Sequence, residues 1–291
     1  MTHLTATDEP KGPYRWVVLF GVWLIYFSFG LTVAALGPLV TPITDDLKMT
    51  FGEMGTVLGA WPLIYILAAL PCGFLIDRIG PRHGLLIAAV IMGLSGLLRG
   101  SADTHLTLFL AVAIFGLGGP LISIGAPKVI ALLFQGKNRG LAMGIYITGP
   151  GLGGVIAAST TNSVLLPFFD ENWRLVVGAY GFFTLFSGLM WLLLSQNEAG
   201  KIIKSAVSET TKESIPKTFK RLATIPTVQL VLALSIGIFF INHGLNNWLP
   251  EIIRAHGLSA ASAGYWASIP TAVSVLSALL IPRYATPEKR I

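Results

Sequence analysis

Gly73-Phe-Leu-Ile-Asp77-Arg78-Ile-Gly80-Pro-Arg82-His83 decides the reading of this chain. Long apolar stretches flank it on both sides, and its charged residues crowd its C-terminal half. Gly73 has no side chain, so two helix backbones can approach there. Gly80 permits a tight turn. Arg78 and Arg82 hold a short loop at the cytoplasmic face of a membrane. Asp77 can accept hydrogen bonds from helix-end amides or pair with a nearby arginine. The run therefore connects two membrane helices on the cytoplasmic side.

Composition agrees. The chain is 53% hydrophobic and 12% charged, with a mean hydropathy of +0.71. A soluble domain carries about 25% charged residues, so the excess apolar material must face lipid. The net charge of +6 does not indicate nucleic acid, because the basic residues lie between apolar runs and form no single patch. Cys72 is the one cysteine. It excludes a disulfide framework, and no Cys/His spacing suggests a metal or cofactor site. The first apolar run is too long for a signal peptide, and the polar segment before it lacks a cleavage site.

A membrane helix needs about 20 mostly apolar residues. Eight runs qualify, at roughly 16–40, 53–76, 84–99, 106–134, 140–166, 174–194, 227–249 and 261–281. With the N-terminus in the cytoplasm, 15 of the 20 Lys and Arg lie on the cytoplasmic side. Lys48, Arg99, Arg174 and Arg254 lie on the other side, and Lys128 lies within a span. That asymmetry sets the orientation. The connector 196–226 is longer and more polar than the rest. The expected organisation is a cytoplasmic N-terminus (1–15), a six-helix bundle (16–195), a cytoplasmic linker (196–226) and the start of a second bundle (227–291). The step from Pro62 to Arg82 is repeated from Pro270 to Arg290, although Ile281 and Ala285 stand where Gly73 and Asp77 do in the first copy. This repeat favours a second half cut after its second span over a complete eight-span protein.

The run Gly73–His83 resembles the Gly-x-x-x-Asp-Arg-x-Gly-x-Arg signature of the major facilitator superfamily. Gly149-Pro150-Gly151-Leu-Gly153-Gly154 resembles that family's Gly-Pro-x-x-Gly-Gly element. The resemblance implies an all-α integral membrane fold of two six-helix bundles, the second incomplete here. It implies that Gly73, Asp77, Arg78, Gly80 and Arg82, with Arg139 meeting Asp77, latch the halves together. It implies that Gly149, Pro150, Gly153 and Gly154 form a packing element about which helices rock, and plain helix packing is the alternative. Two further segments, Gly118-Gly119-Pro120-Leu-Ile-Ser123-Ile-Gly-Ala-Pro127-Lys128 and Gly244-Leu-Asn246-Asn247-Trp248-Leu-Pro250-Glu251, resemble the cyanate permease group. That likeness implies a small anion.

The fourth run lacks the buried arginine of drug exporters, and no Asp or Glu lies deep within any run. Lys128 and His243 are left as in-span ionisable groups. Lys128 either faces the cavity or snorkels to the interface. His243 lies among Asn242, Asn246 and Asn247 beside Gly244, which suggests an interrupted, polar-lined helix. Its alternative is a helix end at the membrane interface. Tyr65 and Tyr146, together with Tyr26, Ser28, Thr32, Trp61 and Thr148, are candidate cavity residues that packing would equally explain.

The expected function is secondary active transport of a small solute, an anion such as cyanate or a related inorganic or organic anion, by alternating access. His243 is the candidate carrier of a coupling proton. A proton-linked multidrug or metabolite exporter and a non-transporting membrane sensor are the alternatives. No nucleophile elbow or metal spacing supports an enzyme. The expected setting is the bacterial inner membrane, as a multi-pass monomer in contact with lipid and without nucleic acid.

Overall fold

The computed structural model describes residues 12–196, 203 and 223–284, and the regular elements among them are all helical. Helix α1 (Tyr14–Ala34) has 21 residues. At about 1.5 Å per residue it matches a hydrocarbon core of about 30 Å. It stops short of the expected residue 40 because Pro38 has no N–H to continue the ladder. A 3-10 turn (Gly37–Leu39) and α2 (Val40–Leu47) follow, and Lys48 ends α2 with a left-handed φ of 53°.

Helix α3 (Phe51–Gly100) opens on a capping box between Thr50 and Glu53 and runs for 50 residues. Its continuous length would be about 75 Å, but Gly80 interrupts it at φ 78°, ψ 157°. That left-handed φ suits glycine, and Pro81 is tolerated at the start of the returning segment. Residues 51–79 and 81–100 thus form two crossings, and the second starts earlier than the expected residue 84. Helix α4 (His105–Leu133) has its own capping box at Thr104 and Thr107. Helix α5 (Gly136–Thr160) passes into a π-helical segment (Thr161–Leu165) and a last turn, α6 (Leu166–Phe168). Asn172 caps α7 (Trp173–Leu194). Helices α8 (Pro226–Ala255) and α9 (Ala260–Tyr284) complete the described residues. Six helices here are long and apolar enough to cross a membrane. Gly80 divides one of them in two, and α9 is long enough to cross as well. Most of the expected linker, 196–226, falls outside the described residues.

Glycine allows the closest approaches. A Cβ on Gly30 of α1 would run into the Pro150 carbonyl of α5, and one on Gly153 would meet the Phe27 carbonyl. The opposite face of the same α5 stretch meets α9, where a Cβ on Gly151 would strike Val275. Helix α5 is therefore wedged between α1 and α9. Helices α1 and α7 are joined by buried hydroxyl pairs, Ser28 with Ser187 and Thr32 with Thr184, each at 3.1 Å. Small and hydroxylated residues at such contacts are how membrane helices associate. Large side chains such as Ile66, Leu67 and Phe182 stand about 70% exposed on the outer surface (71%, 67% and 68%), as a lipid-facing surface requires.

The α1–α5 contact leaves no room for a methyl group. Gly30→Ala is expected to destabilise the protein by about 1–3 kcal/mol, as overpacked sites do. The check is a lower detergent melting temperature beside a near-neutral Gly178→Ala, since a Cβ at Gly178 would meet nothing within 4 Å.

Candidate functional site

Aromatic rings and hydroxyls converge where α1, α3, α4, α5 and α8 meet. Tyr26 of α1 stacks on Tyr146 of α5, with centroids 5.5 Å apart and planes 14° apart. Ser123 of α4, Tyr146 and Tyr65 are the polar neighbours of the Tyr26 hydroxyl. Tyr65 of α3 lies against Gly119, where any Cβ would collide with its ring. Trp61 packs edge-on to Tyr65 at 6.2 Å, Phe29 at 6.0 Å and His243 of α8 at 5.1 Å. Phe239 stacks on His243 at 5.4 Å. The cluster offers phenol, hydroxyl and imidazole groups on apolar walls. None of these named residues carries a carboxylate, so the site can stack a flat solute and donate hydrogen bonds to an acceptor-rich one.

Lys128 is not an open cation beside this cluster. Its ammonium forms an ion pair with Asp77. The expected Asp77–Arg139 pair is thus replaced. Arg139 is exposed near the start of α5, just after Gly136 turns the chain at φ 53°. Lys128 instead lies more than a turn inside the end of α4, on the side facing α3. The pair is 33% and 41% exposed, an environment in which such bridges contribute about 1 kcal/mol or less. The rest of the signature does separate work. Arg82 donates to Ser195 at 2.9 Å, and its carbonyl accepts from Trp191 at 2.9 Å, so it ties α3 to the end of α7. Arg78 is exposed, and Gly73 leaves ordinary contact distance to Ile124, 3.8 Å from a would-be Cβ.

The expected interruption of the seventh span is absent. Helix α8 runs through Gly244 and Pro250 to Ala255. Asn246 donates to Asn242 one turn earlier at 2.7 Å, and both are exposed. Thr271 of α9 reaches Asn246 at 3.5 Å. Asn247 is the buried amide, and its carbonyl lies against Gly37, 3.0 Å from a would-be Cβ.

Contacts to α8 gather at one end. Thr41 donates to Glu251 at 2.8 Å, and Phe51 meets Trp248 edge-on at 6.2 Å. Asn162, in the π-helical segment, donates to the Pro38 carbonyl at 2.9 Å and the Ala260 carbonyl at 3.5 Å. This Pro38 end is closed. Toward the end marked by Gly80, α8 is exposed at nearly every described position from Pro226 to Ile241. Arg99, which sequence reasoning placed in an outer connector, is 1% exposed at the end of α3. Its place after an apolar run was the one available signal.

The Major Facilitator Superfamily profile matches residues 22–291, and the chain belongs to that family. It is similar to the uncharacterized transporter YybO of Bacillus subtilis, 28% identical over 286 residues that cover 93% of this chain and 64% of the relative. It is similar to the probable galactarate/D-glucarate transporter GudP of Escherichia coli, 22% identical, covering 95% of this chain and 66% of the relative. The 4-hydroxybenzoate transporter PcaK of Pseudomonas aeruginosa is 24% identical, with 94% and 66% covered. The fold of this chain matches that of a bacterial homolog of the human lysosomal transporter Spinster, in an inward-facing and unoccupied conformation. That match has a TM-score of 0.76 and 21% identity, and it covers 96% of this chain and 64% of the other. The chain therefore spans about two thirds of the length of the relatives it matches.

The Asp77–Lys128 pair has a test of its own. Asp77→Asn and Lys128→Gln should each lower the yield of folded protein in the membrane, and the double variant should do no worse than the more damaging single one. Additive losses would mean that the two residues act separately.

Proposed function

We propose that this chain is part of a secondary transporter that carries a small organic anion across the bacterial inner membrane by alternating access. The observation that carries the reading is the one-ended contact. Helix α8 closes on the 3-10 turn, α2 and the start of α3 at the Pro38 end and is exposed toward the Gly80 end, with the aromatic cluster between. An access route from one side to a mid-membrane site is what alternating access needs.

The anion follows from the absence of carboxylates in the cluster, its several donors, and relatives named for galactarate/D-glucarate and 4-hydroxybenzoate. Stacked tyrosines favour an organic anion over cyanate. Tyr65, Tyr146 and His243 are the proposed ligands, with His243 the candidate for a coupling proton. Asn242 and Asn246 border the site from α8. Lys128 serves first as the partner of Asp77, and it reaches the solute only if that pair opens. In this reading Gly73, Asp77, Arg78, Gly80, Arg82 and Arg139 belong to the cytoplasmic latch. Gly149, Pro150, Gly153 and Gly154 form the surface on which α1 and α9 rock. Residues 16–195 act as one bundle, 196–226 as a cytoplasmic linker and 227–291 as part of a second bundle, in a monomer with a cytoplasmic N-terminus.

Uptake into vesicles should be saturable for 4-hydroxybenzoate or glucarate and absent for their neutral amides. Tyr65→Phe should raise the half-saturation concentration about tenfold, the loss of one hydrogen bond to a charged group, with unchanged protein in the membrane. Equal uptake of anions and neutral amides would contradict the anion reading.

A further inference from the structure

The aromatic cluster rests on one face of α4. Gly116, Gly119 and Ser123 follow each other by three and four residues, so they share that face. Each meets a different part of the cluster. A Cβ on Gly116 would stand 2.5 Å from the Trp61 carbonyl oxygen and 3.0 Å from the Tyr65 backbone nitrogen. The α3 backbone therefore lies directly on α4 there, as small residues allow. A Cβ on Gly119 would stand 2.5 and 2.8 Å from Cδ2 and Cε2 of the Tyr65 ring. Ser123 is a polar neighbour of the Tyr26 hydroxyl. Gly118 lies off this face. Its would-be Cβ meets Met92 at 2.7 Å and the Ala88 carbonyl at 3.1 Å, on the returning half of α3.

The obstacles at these glycines differ in kind. At Gly116 the obstacle includes backbone, so a side chain there would push the two helices apart. At Gly119 it is the side of one ring, and the nearest Phe29 atom keeps an ordinary 3.5 Å. Carbon atoms in contact lie about 3.5–4.0 Å apart, so an alanine at 119 would drive the Tyr65 ring off α4 by roughly 1 Å. The ring would leave the place it holds beside Trp61 and the Tyr26 phenol. A hydroxyl bonds a carboxylate at about 2.5–3.0 Å and no longer does so near 3.6 Å. A movement of that size is enough to take the Tyr65 hydroxyl out of reach of a bound anion.

We propose that Gly119 is a positioning residue of the transport site: by carrying no side chain it sets where the Tyr65 phenol stands, and so how tightly the site holds its anion. The role rests on the reading of Tyr65 as a ligand. Gly119 acts through that ring alone, whereas Gly118 serves the packing of α4 on α3.

Saturation curves for uptake of 4-hydroxybenzoate and of glucarate, in the protein reconstituted in lipid vesicles, test it. Gly119→Ala is expected to raise the half-saturation concentration about tenfold, as loss of one hydrogen bond to a charged group does. The maximal rate and the amount of folded protein should stay near those of the unaltered protein. Gly118→Ala should do the reverse, with less folded protein and an unchanged half-saturation concentration. A glycine needed only for packing would behave like Gly118. Tyr65→Ala removes the ring for which Gly119 makes room, and in that background Gly119→Ala should add nothing, either to half-saturation or to yield. This pair also covers the case in which Gly119→Ala alone does not fold, because the double variant has no ring to displace. A further loss on adding Gly119→Ala to Tyr65→Ala overturns the role. Uptake that Gly119→Ala leaves unaltered overturns it as well, and leaves the transport reading standing. An unaltered protein that takes up neither anion removes the transport reading, and the role falls with it.

Discussion

Hydrocarbon offers no hydrogen bonds to a broken helix, and the rest of this structure depends on how that constraint is met. Helix α1 breaks near Pro38, α5 passes into a π-helical segment at Thr161, and α3 folds back at Gly80. Two carbonyls at or beside the α1 break receive a side-chain donor, Thr32 from Arg99 and Pro38 from Asn162. The Asn162 donors come from a π-helical segment, whose wider turn is a frequent mark of functional positions. The two acceptors of that amide lie in elements far apart in sequence, one after α1 and the other at the start of α9. Satisfying a break and joining two groups of helices are thus done by one residue.

The same economy of polar groups shapes the middle of the protein. Arg99, Phe115, Phe29, Tyr26 and Tyr146 form a continuous stack, with successive separations of 5.0, 5.3, 5.8 and 5.5 Å. The charge lies at one end of this stack and the phenols at the other, while α8 touches the cluster through His243 on Trp61. Lys128 is drawn off by Asp77 toward the Gly80 end. The central site is left with neutral donors and an imidazole. In the proposed reading, such a site would hold an anion weakly enough to release it.

Much of the fold was legible in the sequence because membrane helices must be apolar along their length. Hydropathy located the helices, and the Gly80 turn followed from a glycine beside a proline between two long apolar runs. The errors fell where geometry in three dimensions outranks pattern. Asp77 had two cations within plausible reach, and only the packing of α3 on α4 selects Lys128 over Arg139. Arg99 looked like a connector charge because sequence position does not show which way a side chain turns at a helix end. Gly244 and three asparagines looked like a break in α8, yet Asn242 and Asn246 bond each other one turn apart and leave the backbone ladder intact. The role of Asn162 had no signature, since a π-helical segment has no composition of its own.

The central claim is that the α8 group and the first six crossings pivot about the α5 surface, so that one end closes as the other opens. The direct measurement is a pair of spin-label distances in the reconstituted protein. One pair, at Asp45 and His256, spans the Pro38 end. The other, at His83 and Gln229, spans the Gly80 end. Titrating 4-hydroxybenzoate or glucarate should move the two distances in opposite directions with a single midpoint. Distances that stay fixed, or that lengthen together, would contradict the account.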